Sequence, residues 1–309
     1  MKLVTDHVRV TVPGSAGNLG PGFDCLGMAV DVVDEITVEA IASTNVVVEV
    51  EGEGAQTLPR DESHLFVKAF RVALEYVEAP LTGLRIHAKN RIPHARGLGS
   101  SAATVVAGIS AARAMVSEPE RLPPEVVLRL ATDFEGHPDN AAPAIYGGAT
   151  VSWIDKDGPH ARALEIADGI ETAVLIPDAV LPTKEARAVL PAQVPHADAA
   201  FNVSRAALLV HALAGRPEVL FEATEDMLHQ DYRAERMPAA MEMMRTLRAK
   251  GLAAVISGAG PSVLVIGEEC ESKDLGPGPL AWAEGIGGQS WNSILTSHRV
   301  PGVSATALT

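Results

Sequence analysis

Cysteine is almost missing from this chain: Cys25 and Cys270 are the only two among 309 residues. A disulfide framework needs more of them at closer spacing, so a reducing compartment is expected. Basic side chains are also in deficit, with 25 Lys and Arg against 39 Asp and Glu, a formal charge of −14 and no long run of either sign. Nucleic acid is therefore not an expected partner. An anionic small molecule stays open, because a phosphate site needs only a few local donors. Every apolar run is broken by Gly, Pro or charge before membrane-spanning length, and Met1-Lys2-Leu3-Val4-Thr5-Asp6 lacks the apolar block of an export signal. The expectation is a cytoplasmic protein without a membrane partner. Low-complexity tracts and repeats are absent too, and 47% apolar residues suffice for a folded core, most simply in two domains.

What is present mixes strands and helices from the start. Alternation at Val8–Val12 and Ile36–Glu39, and the apolar run Val46–Val50, predict strands; Phe66, Ala69, Phe70, Ala73 and Val77 repeat at helical spacing. Leu84–Ala88 reads as a strand, and Pro124 to Phe134 as a helix with proline in its favourable first turn. Ala149–Ile154 and Thr172–Ile176 read as strands, and Asp155-Lys156-Asp157-Gly158-Pro159 between them marks a border, dividing the chain into 1–155 and 156–309. Helices are expected around Lys184–Val189, Ala199–Ala214, Pro217–Leu228 and Pro238–Lys250, then two strands within Ala253–Ile266 and a weak helical signal at Ala281–Glu284. The remainder of the tail, rich in Gly, Pro and Ser, shows no pattern.

The sharpest local signal is Pro93-His94-Ala95-Arg96-Gly97-Leu98-Gly99-Ser100-Ser101-Ala102-Ala103, followed by apolar residues at Val105, Val106, Ile109 and Ala112. Glycines let backbone N–H groups converge on an anion, and the helix that follows adds unpaired donors and the positive end of its macrodipole. No Gly-Lys-Ser/Thr follows, so it is not a Walker loop. Ser100 and Ser101 stand where a hydroxyl either caps the helix or helps coordinate a phosphate-bound Mg²⁺. Two further glycine-rich blocks occur: Pro13-Gly14-Ser15-Ala16-Gly17-Asn18-Leu19-Gly20-Pro21-Gly22-Phe23-Asp24 after the first strand, and Ser257-Gly258-Ala259-Gly260-Pro261-Ser262 between the last two predicted strands.

Together these three blocks resemble the three signature motifs of the GHMP kinases, from about Val8 to Ile266. The resemblance implies an α+β fold, with an N-terminal domain like ribosomal protein S5 domain 2 and a ferredoxin-like C-terminal domain. It also implies ATP and Mg²⁺ as cofactors. Pro93, Arg96, Gly97, Leu98, Gly99, Ser100, Ser101 and Ala102 would hold the nucleotide, with His64 near the base where relatives carry asparagine. Glu135 would join Ser100 and Ser101 at the metal. Within the family, Asn18 to Asp24, Glu135-Gly136-His137-Pro138-Asp139-Asn140, Thr183 to Pro191 and His229-Gln230-Asp231-Tyr232-Arg233 are similar to the branch acting on L-homoserine in threonine biosynthesis.

That substrate fits the residue types. An α-carboxylate wants arginine forks, here Arg187 and Arg233; an α-ammonium wants a carboxylate and amide oxygens, here Asp24, Asn18 and Asn140. His137 would orient the substrate and Gly260 would line its site. Asn140 stands where mevalonate kinase carries an aspartate base, and an amide takes no proton. Direct in-line attack with Asn140 orienting the hydroxyl is expected, and Asp139 is the fallback base. Gly14, Ala16 and Gly17 depart from the homoserine kinase pattern, removing one hydroxyl and loosening the expected turn. A kinase for mevalonate, shikimate or an isoprenoid precursor, and a non-catalytic nucleotide-binding relative, are the competing readings. The apolar second half leaves room for a homodimer.

Overall fold

The computed structural model describes residues 1–268, 275–283, 285–297 and 299–308. In chain order its elements are β1 (His7–Gly17), β2 (Leu26–Ile41), β3 (Val46–Gly52), α1 (Leu65–Tyr76), β4 (Gly83–Asn90), α2 (Ser100–Met115), α3 (Pro124–Glu135) and α4 (Ala141–Tyr146). Then come β5 (Ala149–Asp155), β6 (Gly158–Leu164), β7 (Ile170–Pro177), α5 (Thr183–Ala188), α6 (His196–Leu213), α7 (Leu220–Ala223) and α8 (Pro238–Ala249). The chain closes with β8 (Ala253–Ile256), β9 (Val263–Glu268), β10 (Gly278–Pro279), β11 (Trp291–Ser297) and β12 (Ser304–Ala307). Cys270 and Glu284 lie outside the described residues.

Two sheets carry the molecule. The first runs β12-β1-β2-β4-β3, with β5 joining β2 and β6 joining β5. Among the described residues only the β3–β4 pair is parallel, as the intervening α1 requires. The second sheet, β10-β11-β7-β9-β8, is antiparallel throughout. Its strands alternate between two apolar surroundings, because successive side chains leave opposite faces. Val174, Val255, Leu264 and Ile266 face the core shared with the first sheet; Leu175, Ile256, Val263 and Val265 face Met241, Met243 and Leu247 of α8. Both surfaces of the sheet are thereby dry, which explains why β8 and β9 read as unbroken apolar runs.

The α+β mixture and most helices match the sequence reading. Three differences have physical causes. The predicted helix over Pro217–Leu228 shortens to a 3₁₀ turn and the four-residue α7, because the Asp226 carboxylate accepts the N–H groups of Leu228 (2.9 Å), His229 (3.1 Å) and Gln230 (2.8 Å) and bends the chain. Residues 14–17, expected as a loosened turn, instead complete β1, with Gly17 opposite Gly27 of a β2 far longer than predicted. Asp155 pairs with Gly158 at a hairpin tip, and β6 still belongs to the first sheet. We place the domain border after Leu164, before β7 opens the second sheet.

The unpatterned tail supplies a strand to each sheet: β11 pairs with β7, and β12 with β1. The signal at Ala281–Glu284 is a 3₁₀ turn over Ala281–Ala283. No helix among the described residues is long and apolar enough to cross a membrane.

Candidate active site

The three glycine-rich blocks meet and are stitched by backbone hydrogen bonds. Ser15 N–H donates to Leu98 O (2.9 Å), and Gly258 N–H to Gly17 O (3.0 Å). Side chains add two more, Asn18 Nδ2 to Gly258 O (2.8 Å) and Ser257 Oγ to Gly97 O (2.7 Å). Such closeness demands glycine at Gly97. Its φ is +71°, and a Cβ there would stand 2.1 Å from Ser257 O. Gly99, at φ +65°, is the N-cap of α2 and brings no side-chain cap. The serines thus leave the first-turn N–H groups of a sixteen-residue helix to an external anion.

The Ser101 hydroxyl donates to Glu135 Oε1 at 2.5 Å, where α3 ends against the start of α2. Two hard oxygen donors side by side beside a phosphate cradle suit Mg²⁺, which takes few protein ligands. Asp24, His137 and Asp139 also converge, with potential ligand atoms all within 4.8 Å of one another. Their charges are already offset within the protein, Asp24 by Arg187 and Asp139 by His137.

Asp139 owes its place to two missing side chains. A Cβ on Gly17 would lie 2.4 Å from Asp139 Oδ2, and one on Gly27 1.9 Å from Asp139 O. Held in that slot, Asp139 accepts from His137 Nδ1 and from Asn140 Nδ2 (3.3 Å). Burial opposes charge on His137, but the hydrogen bond to Asp139 and that carboxylate's charge together outweigh it and raise the imidazole pKa. Asn140 Oδ1 accepts from the Ser15 hydroxyl (3.0 Å).

Two guanidinium groups line the same cleft as the α2 N-terminus, a solvent-open space of about 620 Å³. Arg187, from α5, forms a fork with Asp24 at 3.1 and 2.5 Å, while its buried Nε has no hydrogen-bond partner among the described residues. Burial opposes the Arg187 charge; Asp24 more than compensates and holds its pKa above the ordinary value. Arg233 is 1% exposed and, among the described residues, donates to neutral acceptors: Ala186 O (3.1 Å), His229 Nδ1 (3.0 Å) and Gly258 O (3.3 Å). No carboxylate lies within ion-pair distance of it among the described residues. Burial and the adjacent Arg187 pull its pKa down to about 10, so it stays charged at neutral pH. Both guanidiniums sit over the Phe23 ring, 5.6 and 5.7 Å from its centroid. A buried, unneutralised cation facing a cleft calls for an anion.

On the other side of Ser100 and Ser101 lies a second hollow of about 740 Å³, lined by Leu58, Pro59, Leu65, His64, His94 and Thr104. His64 caps α1 through Nδ1, which accepts from Phe66 N–H (3.2 Å). Burial, then His94, lowers its pKa, so the ring is neutral and its proton sits on Nε2. That Nε2–H is buried without a partner among the described residues.

Most predicted site residues therefore gather here. Pro93, Gly97, Leu98, Gly99, Ser100, Ser101, Glu135, His137, Asp139, Asn140, Asn18, Arg187 and Arg233 line the cleft, and Asp24 backs it. Three do not. Arg96 turns its guanidinium toward Pro177 O, Asp178 O and Glu53; Ala102 is buried inside α2; and Gly260 packs on Met237, leaving Gly258 and Ala259 at the cleft wall. Sequence reasoning missed Ser15, Phe23, Gly27 and Thr183. Of these, Ser15, Phe23 and Thr183 lay inside blocks already singled out, and Gly27 did not.

Residues 64–148 match the family model of the GHMP kinases N terminal domain, and residues 205–275 that of the GHMP kinases C terminal domain. A homoserine kinase of Clavibacter michiganensis subsp. michiganensis is 48% identical over 85% of this chain and 83% of its own length. The homoserine kinase of Streptomyces avermitilis is 44% identical over 97% and 96%. Among solved structures, homoserine kinase from Cytophaga hutchinsonii superposes with a TM-score of 0.84 at 22% identity, covering 98% of both chains, a likeness of fold.

Proposed function

Since the chain belongs to the GHMP kinase family, we propose that it transfers the γ-phosphoryl group of ATP to the side-chain hydroxyl of L-homoserine, giving O-phospho-L-homoserine for threonine synthesis. The observation that carries the reading is the pairing of Arg187 and Arg233 over one aromatic ring, in the same cleft that Gly97–Ser101 line. An isoprenoid alcohol would want an apolar wall there; an amino-acid carboxylate wants two forks.

The triphosphate rests on the backbone N–H groups of 97–101, and the adenine takes the apolar hollow with His64 Nε2–H as donor to a ring nitrogen. Ser101 and Glu135 would hold Mg²⁺, which would supply charge neutralisation at the phosphate oxygens. Arg233 and Arg187 grip the α-carboxylate, while Asp24 and Asn18 Oδ1 receive the α-ammonium. In this structure Arg187 and Asp24 pair with each other, and a zwitterion brings each a replacement partner. Asn140, fixed through its Oδ1 by Ser15, orients the hydroxyl for in-line attack. Phosphoryl transfer has a loose transition state, so positioning and charge neutralisation suffice and no side-chain base need act first.

A MgATP phosphotransfer assay over L-homoserine, L-serine, L-threonine, mevalonate and shikimate tests the reading. L-Homoserine should give the highest kcat/KM. A preference for mevalonate or shikimate would overturn the acceptor, and nucleotide binding without transfer to any of them would overturn the activity.

A further inference from the structure

His229 has no part in the chemistry above, yet it is fully buried between the carboxylate grip and the ammonium grip. Its Nε2 lies 2.8 Å from Gly20 O, a carbonyl that can only accept, so Nε2 carries the proton. Its Nδ1 is then a lone pair, and it accepts from Arg233 Nη1 at 3.0 Å. The ring stacks on Phe23 with centroids 5.3 Å apart. The charged groups around it are Asp226, whose Oδ2 is 3.6 Å from Nε2, Arg233 itself, and Asp24 beyond Phe23. Burial lowers its pKa against the pull of Asp226, in keeping with a neutral ring.

We propose that His229 is a positioning residue: as the neutral Nε2–H tautomer it ties Arg233 to the first glycine-rich loop and fixes the spacing between the groups that take the substrate's carboxylate and ammonium. The proposal rests on the amino-acid kinase reading. Gly20 sits between Asn18 and Asp24 in a loop whose residues Asn18, Leu19, Gly20 and Asp24 all have positive φ, so the backbone path there is narrowly set. A strut from that loop to Arg233 transmits its position to the guanidinium. The acceptor must also be uncharged. A carboxylate at residue 229 would satisfy the same hydrogen bond, but it would neutralise the cation that the substrate's carboxylate needs. Phenylalanine would keep the stacking and release the fork. Imidazole supplies an acceptor on one edge and a donor on the other without net charge.

The test compares His229→Phe and His229→Gln in the full chain by steady-state kinetics, with ¹⁵N-histidine NMR of the unaltered protein, its His229 signals identified by their loss in His229→Gln. The Phe variant should raise the L-homoserine KM about 10–100-fold, the range for losing a hydrogen bond to a charged group, with the ATP KM within about twofold. Gln, which offers both an acceptor and a donor, should recover most of that loss. The NMR should show an unprotonated Nδ1 and a protonated Nε2 between pH 8 and 6. Equal rises in both KM values, no rescue by Gln, or a charged or Nδ1–H ring would each overturn the proposal. If the Phe variant does not fold, the Gln kinetics and the ring signals decide. An unaltered chain inert toward L-homoserine would instead overturn the functional reading on which the proposal rests.

Discussion

Two hollows share one wall, the start of α2, and they are built on opposite principles. The hollow toward His64 is mostly apolar and offers one buried donor from a neutral ring. The hollow toward Arg233 crowds two guanidiniums, Asp24, His137 and Asp139 around one aromatic ring. The first can recognise a flat base by shape and a single hydrogen bond, which tolerates modest change. The second recognises charge in a low-dielectric setting, where each group is tuned by its neighbours and loss of one leaves another unpaired. Sensitivity to mutation should therefore be lopsided, except at the wall both hollows share.

The largest effect is expected at that wall. Gly97→Ala places a Cβ 2.1 Å from one backbone atom and 2.9 Å from another at a positive φ, so the glycine blocks must part. It should lower kcat/KM for both substrates about 10²–10³-fold, the scale of losing a preorganised electrostatic donor, as steady-state kinetics would show. Next comes Arg187→Ala, which should raise the L-homoserine KM about 10–100-fold and leave the ATP KM within about twofold. Equal effects on both substrates would erase the contrast between the hollows. His64→Phe is the mirror test. It removes the Nε2–H donor along with the Nδ1 cap of α1, and should raise the ATP KM by about 3–10-fold while leaving the L-homoserine KM unchanged.

A last effect concerns stability rather than turnover, beneath both hollows. Asp34, 1% exposed, accepts the N–H groups of Arg91 (2.6 Å) and Ile92 (2.9 Å), where β4 hands over to the phosphate loop. Burial raises its carboxyl from 3.8 to about 6, against the lowering pull of those two bonds. A folded-state value above the unfolded one means the folded chain holds this proton more tightly. Its contribution is then most favourable below pH 3.8 and is lost as pH climbs through about 6. Asp34→Asn cannot ionise. Its stability relative to the parent should be about 2 kcal/mol more favourable at pH 8 than at pH 4.5, measured by urea unfolding. A pH-independent difference would show that the carboxyl does not titrate there.

Where the site was legible in the sequence, the signal was local. Gly97 and Gly99 sit at positive φ before a helix, and that requirement is written in the residues themselves. Helices such as Pro124–Glu135 announced themselves by spacing and an N-terminal proline. What escaped depended on distant partners. The slot for Asp139 arises because Gly17 and Gly27 face each other across two strands, a register no single segment reveals. Arg96 and Gly260 shared their motifs with true cleft residues, but the side chain of one and the packing of the other point elsewhere. The tail strands β11 and β12 are short and polar in part, and the sheets they join impose their conformation.

The most direct measurement is a crystal structure with L-homoserine and a non-hydrolysable ATP analogue. The account predicts phosphates on the amides of 97–101, the amino-acid carboxylate between Arg187 and Arg233, and the ammonium at Asp24 with its fork to Arg187 opened. L-Homoserine bound away from both guanidiniums, or a triphosphate that does not touch the α2 N-terminus, would contradict it.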